Sequence, residues 1–485
     1  MRTFTRIFTL LCAAVLLLTA CTAAQPEIIR TEADPVENAE WKMGFGDAVV
    51  SHDGLEGPFY IAGYDMGREF TDIIDEMRAS AVWMDIGGEG ILLIGVDCVG
   101  LGRDRIENIR TALSPFCLET GCASVNVYST HSHAGIDTLG LWGELAKDGK
   151  NEAFMDRLTE ACVTAANLAY ADRKAGKLTY GYTPTDMQYD SREPIVFDEN
   201  LYQLRFIPDD GTAGIRMISY AAHAESLRGD NTALSRDFPG VMSDLLLEDT
   251  GDRMIYMPGA IGGLIMTDQI NRPGGSFDAP YALRETGERM YAFLREITDE
   301  RDVEPSLAIV KVPVEIPMDN TVYLYYRFLG ILGNETAESD ESETGYNLVT
   351  ELSLLKLGDI YIAMIPGELF PELVTGEYLP MEGARKPVNP TAENPTPLAE
   401  IAEQYGIGNL LILGLCNDEI GYIVPPNDFI VHEETPYLTP VDHIDGENHY
   451  EETNSVGIHA AEKIAEAFRR AAEMMQKEAT DRANR

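Results

Sequence analysis

The chain predicts an α/β fold: mixed β-sheets flanked by helices, in one large domain. Three observations predict it. Apolar runs of strand length recur along the chain and alternate with helical patterns. The runs at 91–96 and 124–128 enclose a helical stretch around 103–116, a β-α-β unit. No internal repeat or convincing linker divides the sequence, so its 485 residues, 45% hydrophobic and 24% charged, read as one body with a large core.

In chain order, Arg2 and Arg6 precede an apolar run that closes on Leu18-Thr19-Ala20-Cys21. Small residues leading into a cysteine after such a run form the export leader of a bacterial lipoprotein. Residues 1–20 are therefore read as the leader and Cys21 as the lipid attachment point. Residues 21–40, polar with two prolines, read as a tether, and 41–485 as the domain. The expected setting is extracytoplasmic, on the bacterial cell membrane through the lipid anchor alone. The apolar run is too short for a comfortable span, and no later stretch approaches ~20 apolar residues.

Within the domain, 43–66 reads as a loop-rich entry segment. Strands at 81–86 and 91–96 form a hairpin across the turn 87–90. An amphipathic helix at 152–172 is followed by strands at 178–184, 202–207 and 215–222. A helix starts near 237, with Asp237 as its N-cap and Pro239 in its first turn. A strand at 253–257 leads to a helix at 279–297. The acidic stretch 333–345 reads as a mobile surface loop. Strands at 347–356, 359–365 and 410–415 follow, and a surface helix at 456–480 closes the chain.

The formal net charge of −43 repels nucleic acid and anionic membrane, and excludes both as partners. Cys98, Cys162 and Cys416 lie in apolar contexts and read as buried thiols. Cys117 and Cys122 flank a short turn and can pair, but the odd total argues against a disulfide framework. No CxxC zinc pattern is present.

Chemistry gathers where apolar strands end in polar groups beside glycine. His131 and His133 follow the 124–128 strand. Residues two apart on a strand point to opposite faces, so both reach one site only if the strand end kinks. His223 follows 218–222, Glu368 follows 362–367, and Tyr422 follows the 410–415 strand and a Cys-Asn-Asp-Glu turn. Each alone has a plainer role: a hydrogen-bonded histidine, a helix cap at 367, a core tyrosine. Two imidazoles and a carboxylate together are a ligand set for catalytic zinc, at the carboxyl ends of strands where α/β sheets bind ligands.

These residues also carry a resemblance. Thr130-His131-Ser132-His133-Ala134-Gly135 resembles the Thr-His-Thr-His-Ser-Gly segment of the neutral/alkaline non-lysosomal ceramidase family. Ala222-His223 with Gly229-Asp230-Asn231, Pro366-Gly367-Glu368, and Gly421-Tyr422-Ile423 with His449-Tyr450-Glu451 resemble its later motifs, in order, from about 43 to 465. The resemblance implies a zinc-dependent hydrolase that cleaves an N-acyl amide or related carbonyl bond by metal-activated water. It implies His131, His223, Glu368 and Tyr422 as metal ligands and His133 as a proton-handling histidine beside them. The substrate would be a small molecule or lipid with an acyl amide.

Two departures accompany it. Gly262 stands where the family carries a serine. No C-terminal immunoglobulin-like domain is expected. With Gly262 in that place, direct attack by water is expected, with backbone N–H groups of the loop 259–263 approaching a substrate oxygen. A tight turn is the equally available role for that loop. Ser132 and Ser226 are the rival nucleophiles nearest the candidate ligands. The second reading of the whole chain is a catalytically inert lipoprotein that binds an extracellular ligand in the same pocket.

Overall fold

Two sheets carry the fold, and helices cover their outer faces. A computed structural model describes residues 30–32, 39–190, 192, 194–263, 265–267, 275–383, 385–442 and 448–483. The leader, Cys21 and most of the tether lie outside the described residues. Across the larger sheet the strands run Arg253–Pro258, Ile215–Tyr220, Asn200–Pro208, Lys174–Pro184, Trp41–Val49, Arg78–Asp85, Gly90–Val96 and Cys122–Ser129. Its central pairings are antiparallel, while the pair at each end is parallel. The smaller sheet runs Arg30–Glu32, Leu307–Pro317, Tyr346–Leu357, Ile360–Met364 and Asn409–Leu413.

The sheets pack face to face. Met43, Leu93, Phe206 and Met217 of the larger meet Ile309, Leu355, Ile362 and Leu413 of the smaller in one apolar cluster. Helices Arg103–Ala112, Ser114–Thr120 and Glu152–Asp172 cover the larger sheet outside, and Ala460–Ala483 covers the smaller. Sandwiching explains why Gly90–Val96 (Gly-Ile-Leu-Leu-Ile-Gly-Val) is buried at every position, because a strand covered on both faces has no need to alternate.

The expected α/β class therefore holds, with local corrections. Trp41–Val49 is a nine-residue strand rather than loop; its glycines conceal a period-two pattern. Part of the acidic stretch, Glu335–Glu338, pairs with Tyr346–Leu357 instead of ranging free. Arg30–Glu32, inside the expected tether, pairs with Leu307–Pro317. The 103–116 helix divides at Leu113, because Pro115 in the next turn has no N–H to continue the ladder. The last helix begins at Ala460, four residues later than expected. Cys117 and Cys122 are both free.

One buried ion network fastens helix Arg103–Ala112 to the smaller sheet. Glu351, on Tyr346–Leu357, accepts from Arg103 at 2.6 Å and from Arg110 at 2.7 Å, with the buried Lys311 ammonium 3.5 Å away. Burial alone would raise the Glu351 carboxyl, but Lys311, Arg110 and Arg103 together pull it far below the usual carboxylate range. A group with a depressed folded-state pKa stabilises above its unfolded value and loses that contribution as pH falls. Glu351→Gln should therefore destabilise by about 3–5 kcal/mol at pH 7, read by denaturant unfolding. The gap from the parent should narrow below about pH 4.5. An unchanged gap at pH 3 would mean that Glu351 is not held as an anion.

Candidate metal centre

The backbone decides which side chains meet. The Cys122–Ser129 strand ends at one edge of the larger sheet, and His131 there adopts φ 63°, in the left-handed region that non-glycine residues seldom occupy. This is the kink that a His-x-His pair needs. It folds His133 back so that the two imidazole centroids lie 4.7 Å apart. The turn is held by Thr130 N–H to Val96 O and His133 N–H to Ala224 O. His223 follows Ile215–Tyr220 near the opposite edge, and its N–H donates to Ile265 O at 2.9 Å. Glu368 and Tyr422 come from the other sheet's side. Glu368–Leu369 and Tyr422–Ile423 form a short parallel pair in which the two residues are register partners. Glu368 is thus on a strand and caps no helix.

His131, His223, Glu368 and Tyr422, the four expected ligands, are all buried and brought together with His133. The Nδ1 atoms of His131 and His223 lie 2.6 Å from Val99 O and 2.7 Å from Ile265 O. A carbonyl only accepts, so both Nδ1 atoms carry a proton, and the Nε2 atoms are the ones that face the cluster. His131 Nε2 lies 3.1 Å from His133 Nε2 and 3.5 Å from Glu368 Oε2, while His223 Nε2 lies 3.0 Å from that same oxygen. Three imidazole nitrogens and a carboxylate oxygen thus crowd one buried place, and once the Nε2 protons are shed a cation between them satisfies all four. Ligands about 2.0–2.1 Å from a tetrahedral ion are roughly 3.3 Å from one another, and the observed spacings match. The three imidazoles form a buried site that fits a metal ion. His133, expected beside the metal only, is as close to the cluster as the expected ligands.

Without an ion, burial shapes the charges. Desolvation pushes the His131 imidazole down to about 4, with Glu368 opposing. His133 is also driven well below its ordinary value by burial and by its two histidine neighbours. Burial would lower His223 too, but the Glu368 hydrogen bond and charge lift it to about 8. Burial would raise the Glu368 carboxyl, and the histidines with Tyr422 outweigh it, leaving it low. Metal ligands must shed protons, and His131 and Glu368 are already in ligating form at neutral pH.

The cluster floors a cavity of about 410 Å³. One wall is apolar: Val99, Leu139, Leu141, Trp142 and Leu332. Tyr64, Glu225, Glu419 and Tyr450 complete it, and Tyr422 Oη shares a hydrogen bond of 3.1 Å with Tyr450 Oη. Glu225 and Glu419 escaped the sequence reading. The available signal was their nearness to His223 and Tyr422 in sequence, two and three residues away.

Gly262 sits elsewhere. It is not among the cavity-lining residues, and its N–H donates to Leu369 O at 2.9 Å, as Gly259 N–H does to Tyr220 O. Neither is available to a substrate oxygen. A Cβ at 262 would stand 2.5 Å from Phe370 Cδ2 and 2.7 Å from Glu368 O, so glycine lets the loop press against the strand that carries Glu368. Ser132 Oγ donates to Ser235 O and Ser226 Oγ to Asp237. Asp237 is the first residue of helix Asp237–Thr250 rather than its cap, and it serves the Ser226–Leu227 backbone. From the packing at 262, Gly262→Ser should cost about 1–3 kcal/mol by overpacking and weaken metal retention by displacing Glu368. A variant with parental melting and metal content would show slack in that contact.

Set against known proteins, the chain matches no family model and no curated protein sequence. Its fold does match solved structures. A crystal structure of neutral ceramidase from Pseudomonas aeruginosa superposes with a TM-score of 0.69 at 15% identity, over 91% of this chain and 75% of that one. A structure described as ceramidase complexed with C2 gives 0.68 at 14% identity, over 91% and 76%. The chain therefore has a fold similar to that of the neutral ceramidases.

Proposed function

We propose that the protein is a zinc-dependent hydrolase that cleaves an N-acyl amide. The observation that carries the reading is the convergence of the His131 and His223 Nε2 atoms with Glu368 at the floor of a half-apolar cavity. The fold shared with ceramidases and the ordered sequence motifs support it.

In this reading His131, His223, Glu368 and Tyr422 hold the ion, which supplies a Lewis acid and lowers the pKa of a water molecule. Water adds to the amide carbonyl carbon, the C–N bond breaks, and the leaving nitrogen takes up a proton. His133, with its Nε2 aimed into the cluster, moves that proton from water to the leaving amine. The apolar wall receives the acyl chain, and closure of the cavity around it excludes bulk water. None of the described lining residues is a serine, threonine, cysteine or lysine, which supports direct attack by water rather than an acyl-enzyme.

Purified protein should carry close to one zinc per chain by elemental analysis, and His223→Ala should lose it together with activity. His133→Ala should keep the metal while kcat falls on the order of 10²–10⁴-fold. Loss of metal in that variant would make His133 a ligand in place of Tyr422. A metal-loaded protein inert toward N-acyl amides and esters would favour the ligand-binding lipoprotein instead.

The setting belongs to the same proposal: an extracytoplasmic lipoprotein tethered at Cys21. The supporting observation is the leader pattern ending in Leu18-Thr19-Ala20-Cys21. Cys21→Ala should move the protein from the membrane fraction to the soluble one, and an unchanged distribution would exclude acylation there.

A further inference from the structure

Beyond the candidate ligands, the cavity contains two carboxyl groups that the reaction does not use. Glu225 is 4% exposed. Its Oε2 accepts from Tyr64 Oη at 2.7 Å, and its Oε1 is buried with no hydrogen-bond partner. His133 Nδ1 lies 3.4 Å from Oε2 but makes no hydrogen bond there. Glu419 is 8% exposed. Its Oε1 accepts from Gly421 N–H at 2.8 Å, and its Oε2 is likewise buried and unpartnered. Both line the same cavity on different elements, one beside His223 and one before Tyr422.

Buried carboxyl groups are normally matched by a cation or by hydrogen-bond donors. Here no lysine or arginine is among the cavity-lining residues, which carry Glu225, Glu368 and Glu419. Arg68 comes close, but its guanidinium is bonded to the carbonyls of Gly229, Asn231 and Ala62. The donors that Glu225 Oε1 and Glu419 Oε2 lack within the protein can be supplied by what enters the cavity. The wall of Leu139, Leu141, Trp142 and Leu332 receives an alkyl chain, so the missing donors belong to the other end of the substrate.

Resting on the hydrolase reading, we infer that the substrate's leaving amine carries a second, protonated amine, which Glu225 and Glu419 recognise, and that substrates carrying a carboxylate are rejected. A carboxylate would bring only further acceptors to the unpartnered oxygens, whereas an ammonium group offers them three donors.

The test is a set of three substrates with one acyl chain and one scissile amide: N-lauroyl ethylenediamine, N-lauroyl ethanolamine and N-lauroyl glycine. The diamine conjugate should exceed the ethanolamide in kcat/KM by on the order of tenfold or more, chiefly through KM, with the glycine conjugate poorest. In Glu225→Gln and in Glu419→Gln the ratio of diamine conjugate to ethanolamide should fall toward one. Equal use of the diamine and glycine conjugates by the parent, or a preference surviving both substitutions, would overturn the inference. If none of the three is hydrolysed, the hydrolase reading fails and calorimetry decides recognition alone. Dodecylammonium should then bind at least about tenfold more tightly than dodecanoate below their micelle concentrations, and equal affinities would sink it.

Discussion

Everything at the site depends on one short crossing of backbone, residues 414–417. Gly414 N–H donates to Pro258 O at one edge of the larger sheet. At the opposite edge Asn417 N–H donates to Val127 O, and Ser129 N–H donates to Leu415 O. Between these, Leu415 and Cys416 N–H groups reach Gly367 O and Ile365 O of the smaller sheet. Four strand ends are tied at one place: three lead within a few residues to His131, Glu368 and Tyr422, and the fourth, at Pro258, pairs with Tyr220 just before His223. The crossing demands unusual backbone: Leu415 and Asn417 hold φ of 52° and 67°. Such conformations persist only where their surroundings fix them, and here five backbone hydrogen bonds do so. Tyr128 Oη adds a further clasp between the same two sheet edges, donating to Tyr256 O at 2.7 Å.

A second layer holds the Glu368–Tyr422 pair in place. Gly421, with φ 82°, presses against Asn454, where any Cβ would collide with its carbonyl. Phe370 stands edge-on to Tyr422 at 6.3 Å, and the Arg192 guanidinium lies 5.3 Å above the Phe370 ring. Arg192 is itself held by Asp428 and Glu451 at 2.8 and 3.1 Å. Groups that are to converge on an ion within tenths of an ångström need supports that cannot rotate. The buried ion pairs give Phe370, and through it Tyr422, one position.

The electrostatics of the site follow from burial. An imidazole surrounded by protein resists charging, and a carboxylate is costly unless compensated. His131 and His133 are therefore neutral, while Glu368 remains anionic through His223. That combination suits a divalent ion: two neutral imidazoles, one anion, and a single proton on His223 to displace. The same logic makes Glu225 and Glu419 conspicuous, since burial raises both and outweighs what His223 and Tyr64 do for the one and Gly421 N–H for the other.

The sequence by itself determined the fold class and most of the elements that build it, because apolar periodicity reports burial directly. It also marked His131, His133, His223, Glu368 and Tyr422, since several apolar strands ending in ligand-type residues beside glycine point together to a site that none of them indicates alone. It misplaced Trp41–Val49 and Glu335–Glu338, whose glycines and acidic residues mask strand pairing set by distant partners. Only the tertiary structure decided that two histidines at opposite sheet edges meet, because the curl of a sheet and the crossing at 414–417 leave no local pattern. The tertiary structure alone also moved Gly262 from the cavity to the backing of Glu368. It exposed Glu225 and Glu419 as unpartnered for the same reason: whether a buried carboxylate has a partner depends on side chains hundreds of residues away, which no local pattern records.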